Sequence, residues 1–190
     1  MEQTYTEGKA FNKVDFKESP LTKGEYENCT FINCDFSNSD LIDIKFIECG
    51  FTGCNLSLAK LTNTAWREVT FKESKVLGLH FEKCNVFGLS FSFDSCNLSQ
   101  CSFYQTKLKK TIFIKSQLHE ANFTECDLTG SIFDHCDLTR ATFDRTIMEK
   151  VDFRTSYNYS IDPTINRIKN AKFSLQGISG LLDKYDIEID

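Results

Sequence analysis

Two prolines and nine glycines in 190 residues leave no stretch that reads as a flexible linker. Three histidines offer little material for general-base or metal chemistry. No apolar run approaches the roughly 20 residues that span a bilayer. Basic residues do not predominate. Lys and Arg number 22 against 27 Asp and Glu, a formal net charge of −5, which speaks against ordinary binding to a phosphate backbone. The opening MEQTYTEGKA is polar and lacks the apolar core of a secretory leader. A glycine-rich phosphate loop is missing as well. The length suits one domain with a sizeable core, with room for a small appendage.

What the chain has in quantity is phenylalanine, eighteen of them, and cysteine, nine. Both are spaced. In FTECDLTGSIFDHCDLTRATF, Phe123, Leu128, Phe133, Leu138 and Phe143 fall five apart, and Ala121, Cys126, Ser131, Cys136 and Ala141 each stand two residues earlier. The count extends from Phe11 to Phe91, with Phe, Leu, Tyr, Trp or Val at every fifth position. It resumes from Phe93 to Phe153, with Phe, Leu or Met. The two runs differ by a slip of two residues, which this reading places at Phe91 and Phe93. Of the phenylalanines only Phe87 stands outside the pattern, and all nine cysteines lie two residues before a centre.

Neither a helix nor a straight strand has a period of five. In extended chain the centre and the residue two before it point the same way. An odd period can continue only if the chain turns a corner once per pentad, and Thr, Gly, Asp, Asn and Ser after the centres suit corners. Identity at a spacing of 20, as in Phe93, Phe113, Phe133 and Phe153, gives four corners to a coil. The expected architecture is all-β: a quadrilateral β-helix over residues 9–173, with stacked side chains inside and coils roughly 4.8 Å apart.

That geometry decides the cysteines. Cys29, Cys34, Cys49 and Cys54 have spacings that invite zinc. The pattern instead places them as small core residues, interchangeable with Ala121 or Ser131. Their odd total and the polar start lead us to expect reduced thiols in the cytoplasm. His80, His119 and His135 fall at outward positions. Asp and Asn recur one residue before the centres, a corner feature before a catalytic one. We therefore expect no enzyme, no catalytic residue, no metal and no cofactor.

Past Phe153 the pattern distorts near Asn158 and Pro163, then returns at Ile168 and Phe173. In residues 174–190, Ser174 can cap a helix. Leu175, Ile178, Leu181, Leu182 and Tyr185 stand at helical spacing, and Ile187 and Ile189 alternate as in a short strand. We expect a helical module that plugs the solenoid and joins two copies about a two-fold axis.

One charge pattern stands out. Residues 24–59 hold Glu25, Glu27, Asp35, Asp40, Asp43 and Glu48 at outward positions against the single cation Lys45, and Glu68 extends the set. Successive acidic rungs along a rod could imitate a phosphate row. An ordinary solvated acidic surface is the other reading.

The pentads Cys126-Asp127-Leu128-Thr129-Gly130, Ala121-Asn122-Phe123-Thr124-Glu125 and Ser39-Asp40-Leu41-Ile42-Asp43 resemble the pentapeptide repeat, small-(Asp/Asn)-(Leu/Phe)-x-x. The resemblance implies a right-handed quadrilateral β-helix. The C-terminal module is similar to that of the Qnr and MfpA branch, the fluoroquinolone-resistance proteins, in which it makes a head-to-head dimer. It further implies a DNA-mimicking rod that binds type II topoisomerase (DNA gyrase or topoisomerase IV) and modulates quinolone sensitivity. From the charge and the lack of a long apolar run we expect no direct nucleic-acid binding and no membrane. Unlike Qnr proteins, this chain shows no long insertion between coils before residue 153. The alternative expectation is a scaffold or interaction module with another protein partner.

Overall fold

The computed structural model describes residues 4–188. Its strands are β1 (Thr4–Glu7), β2 (Ala10–Asn12), β3 (Gly24–Glu27), β4 (Thr30–Ile32), β5 (Lys45–Ile47), β6 (Gly50–Thr52), β7 (Ala65–Arg67), β8 (Val69–Lys72), β9 (Phe91–Asp94), β10 (Ile112–Ile114) and β11 (Ile132–Asp134). They form two parallel ladders on adjacent sides of a rod, β1-β3-β5-β7 and β2-β4-β6-β8-β9-β10-β11. The other two sides close through single bridges repeated coil by coil, such as Asp15 to Asp35 to Asn55, and Ser102 to Asn122 to Thr142. The molecule is an all-β, right-handed β-solenoid.

Corners sit two residues after each centre. There the backbone enters the left-handed region, at Asn28, Asn33, Asn38, Asp43, Glu48 and onward to Lys150. The corner N–H donates to the next coil, as Asn33 does to the Thr52 carbonyl at 2.8 Å and Glu120 to Thr139 at 2.9 Å. Left-handed backbone costs an L-residue about 1 kcal/mol, least for Asn and Asp. The residue one before the centre defrays part of that cost. Its side chain accepts the N–H two residues on, as Asp35 accepts Ser37 N–H at 2.8 Å and Asn122 accepts Thr124 N–H at 2.9 Å. The recurring Asp or Asn is therefore a turn device.

Inside, centres stack directly. Phe113 and Phe133 lie with ring centroids 4.7 Å apart, and Phe133 and Phe153 at 4.8 Å. Burying such a side chain is worth about 1.5–3 kcal/mol. Several polar residues in the small slot donate to carbonyls of the coil below: Ser131 Oγ to Leu108 O at 2.6 Å, and Thr146 Oγ1 to Phe123 O at 2.8 Å.

The slip lies elsewhere than expected. Phe71 pairs and stacks with Phe93, with Val69 opposite Phe91. Asn85 N still donates to Thr64 O at the regular offset, whereas Ser90 N reaches back to Trp66 O. The two surplus residues are thus absorbed between Asn85 and Phe91. Val86, placed by the count at an inward centre, is 81% exposed. Phe91 occupies a slot that elsewhere takes smaller residues such as Cys49, Val69, Thr111 or Ser131. Its ring packs 5.0 Å from Phe81 and 5.1 Å from Phe93, filling the volume that Val86 vacates.

The C-terminal helix is also corrected. Residues 174–188 contain only two 3-10 turns, Ile178–Leu181 and Asp183–Tyr185. Gly177 and Gly180 explain this. Both lie against Tyr159 so tightly that a Cβ would overlap its hydroxyl and its carbonyl oxygen respectively. Two glycines in so short a segment forfeit about 2 kcal/mol of helix propensity. The segment is pinned instead by Ile161 N–H to Gly180 O at 2.8 Å and by Lys184 to Asp162 at 2.8 Å. Ser174 Oγ accepts Gly177 N–H at 3.1 Å.

Candidate interaction surfaces

All nine cysteines are buried and unbridged. Burial pushes the thiols of Cys49, Cys54, Cys84, Cys101 and Cys136 up to about 12, so at neutral pH they are protonated and unreactive. Most make weak S–H contacts to backbone carbonyls, such as Cys49 to Tyr26 O at 3.2 Å. Each histidine meets a carboxylate on its own side of the rod: His80 with Glu82 at 2.8 Å, His119 with Asp137 at 2.9 Å, and His135 with Asp134 at 2.8 Å. Asp137 gathers several partners. Burial raises its pKa, but hydrogen bonds from Thr139, Asn158 and His119 outweigh that and hold it at about 2.

The acidic residues do not form an uninterrupted row. Glu25 and Glu27 project from β3, and Glu48 and Glu68 from the corner beside it. Asp40 and Asp43 lie on the neighbouring side, and Asp35 on a third. Cations intervene one coil away. Lys45 lies 3.2 Å from Glu25, Lys17 2.9 Å from Asp35, and Lys23 3.4 Å from Asp40, whose next rung is Lys60. Asp43 accepts Asn63 Nδ2 at 2.7 Å, and Glu27 accepts the Tyr5 hydroxyl at 2.7 Å. The signs alternate along the rod as well as around it, with Arg140 on Glu120 at 3.2 Å and Arg145 on Glu125 at 3.0 Å farther up.

Of the residues expected at a C-terminal interface, Leu175 (81% exposed), Ile178, Tyr185 and Ile187 are exposed, while Leu181 packs against the core. Leu182 is intermediate, and Ile189 lies outside the described residues.

Residues 86–89 form a surface feature of which the sequence reading has only Phe87, as an isolated outward apolar residue. Phe87 is 74% exposed, and its ring covers the Arg67 guanidinium at 5.2 Å, while its carbonyl accepts Arg67 Nε at 3.3 Å. Beside it lies a groove lined by Val86, Gly88, Leu89, Gln105 and Lys107. The sequence signal was there: Phe87 is the one phenylalanine out of register, and the basic run Lys107, Lys109, Lys110 follows one coil later.

A family model described as pentapeptide repeat region matches residues 21–92 and 78–153. The chain belongs to the pentapeptide-repeat family. Among solved pentapeptide-repeat structures it resembles trypsin-treated QnrB1, a plasmid-mediated fluoroquinolone resistance protein. Identity is 19%, all of both chains is covered, and the TM-score is 0.58. Full-length QnrB1 aligns at 18% identity over 97% of this chain and 100% of its own, TM-score 0.53. HetL of the cyanobacterium Nostoc sp. strain PCC 7120, involved in regulating heterocyst differentiation, aligns at 16% identity over 91% of this chain and 87% of its own, TM-score 0.59. No curated protein matches the chain. At these identities the likeness concerns the fold. Among the described residues no helix is long and apolar enough to cross a membrane.

Proposed function

We propose that this protein is a non-enzymatic, cytoplasmic interaction rod that works by presenting a rigid, charge-patterned surface to a protein partner. The observation that carries this reading is the surface itself. Three of every five side chains are held outward on a frame whose interior is filled by stacked rings and buried thiols. Such a frame displays residues at fixed spacing with little ordering cost on binding.

The finer reading is binding to a type II topoisomerase, DNA gyrase first, with a change in quinolone sensitivity. Its support is the whole-length likeness to QnrB1 and the net charge of −5. The local pairing of Glu25, Asp35 and Asp40 with lysines weakens imitation of a phosphate row. It favours a scaffold that reads its partner through a mosaic of both signs. A supercoiling assay with purified gyrase, with and without quinolone, separates the two. Topoisomerase binding through the acidic residues predicts an effect that Asp40→Lys with Asp43→Lys abolishes while the circular dichroism spectrum stays native. No change in supercoiling or drug sensitivity leaves the scaffold reading.

The exposed Leu175, Ile178, Tyr185 and Ile187 support end-to-end dimerisation through the C-terminal turns. Leu175→Asp is the appropriate test, because its side chain lies outside the core. Light scattering should then show loss of that contact with the fold intact, and an unchanged mass would refute it.

A further inference from the structure

The side of the rod that carries β3, β5 and β7 continues upward through the bridges joining Lys107, Asp127, Ile147 and Arg167. Residues 86–89 divide it in two. Several charges on this side are bound internally. Glu25 is held by Lys45, Asp127 by Lys109 and Glu149 by Arg167, and Arg67 lies under the Phe87 ring. Among the described residues, the remaining exposed charges on this side and on the corner that follows it sort by sign. Below residues 86–89 stand Glu7, Glu48 and Glu68; above them stand Lys107, Lys110, Lys150 and Lys169. Between the halves project Val86 and Phe87, 81% and 74% exposed.

We propose that this side binds a second copy of the chain, antiparallel, about a two-fold axis crossing the rod at Phe87. Such an axis reverses the rod direction and keeps each lengthwise row of side chains facing its own counterpart. The acidic half then meets the basic half twice, and Phe87 meets Phe87 of the partner subunit. Glu68 and Lys110 share the corner row on coils flanking Gly88, so Glu68 lies opposite Lys110 of the partner subunit. A parallel arrangement would oppose acid to acid and base to base, which the charges disfavour. The like-charged meetings, Arg67 with Lys109 of the partner subunit and Glu27 with Glu149 of the partner subunit, involve groups already engaged: Arg67 with Phe87, Lys109 with Asp127, Glu27 with Tyr5 and Glu149 with Arg167. The face is roughly 40 Å long and 10–15 Å wide at strand spacing. That is smaller than a standard interface, so affinity in the micromolar range is expected.

The test is sedimentation equilibrium of the full chain in the Leu175→Asp background, which removes the end-to-end contact, up to about 200 µM protein. The expected result is a monomer–dimer equilibrium that weakens as salt rises. Phe87→Asp should eliminate it. Glu68→Lys and Lys110→Glu should each weaken it about tenfold or more, since each disturbs two symmetric pairs. The double variant Glu68→Lys with Lys110→Glu should restore it by exchanging the signs. All three side chains are exposed, and circular dichroism checks that each variant folds. A monomer throughout, a dimer indifferent to Phe87→Asp, or a double variant no better than either single one overturns the proposal. Binding to an unrelated partner at this side, without self-association, overturns it as well.

Discussion

Two coils of the same rod use the same residue type in opposite ways. In the regular coil around Phe133, the ring is buried and stacked between Phe113 and Phe153. In the irregular coil, Phe87 lies in solvent, and Phe91 fills the interior from a slot meant for a small residue. The difference is two residues of chain. Where the pentad count is kept, the fold dictates every side chain's direction, and the outside is a repeating surface. Where it slips, the chain must put an apolar group outside, and the rod acquires a landmark that interrupts its periodicity.

The comparison is broken most sharply by truncating the two phenylalanines. Phe133→Ala should cost about 3–5 kcal/mol in chemical denaturation, since the neighbouring rings cannot collapse into the void. Phe87→Ser should stay within about 0.5 kcal/mol of wild type. Equal costs would mean that the exposed ring is packed after all. A second contrast is between the coils and the C-terminal turns. Gly180→Ala forces the segment away from Tyr159 and should cost about 1–3 kcal/mol. Hydrogen exchange at Ile161, whose N–H donates to Gly180 O, should accelerate while exchange at Phe133 does not.

Within the regular coils, Asp137 ties three neighbours together, and its pKa is held at about 2, below the ordinary carboxylate range. Its contribution is therefore fully present above pH 4 and is lost as pH falls toward 2. Asp137→Asn should flatten the fall in stability over that window, measured as the denaturation midpoint against pH. A small gain is expected at Leu58. This exposed apolar residue is held at φ 58°, and its replacement by Asn should stabilise by roughly 0.5 kcal/mol, seen as a higher urea midpoint at unchanged slope.

Most of the architecture was legible because the inside of the solenoid is a direct transcript of spacing. Phe93, Phe113, Phe133 and Phe153 announce the column, and the position of the cysteines identifies the small slots. Counting by fives could not say which corner absorbs two extra residues, because Val86 is as apolar as a true centre. Gly88 at a corner position, followed by Phe91 in a small slot, holds the information. The C-terminal turns were misread because Leu175, Ile178 and Leu182 do have helical spacing. The contact of Gly177 and Gly180 with Tyr159 is tertiary and overrides it. The acidic row was legible as composition, but its neutralisation required reading from coil to coil, where Lys45 lies a coil after Glu25 and Lys23 a coil before Asp40.

Residue-resolved amide hydrogen exchange tests most directly whether the register breaks at one corner and turns outward there. The account predicts strong protection at Phe71, Phe93, Phe113 and Phe133, and rapid exchange at Val86, Gly88 and Leu89. Protection at Val86 with rapid exchange at Phe91 and Phe93 would contradict it.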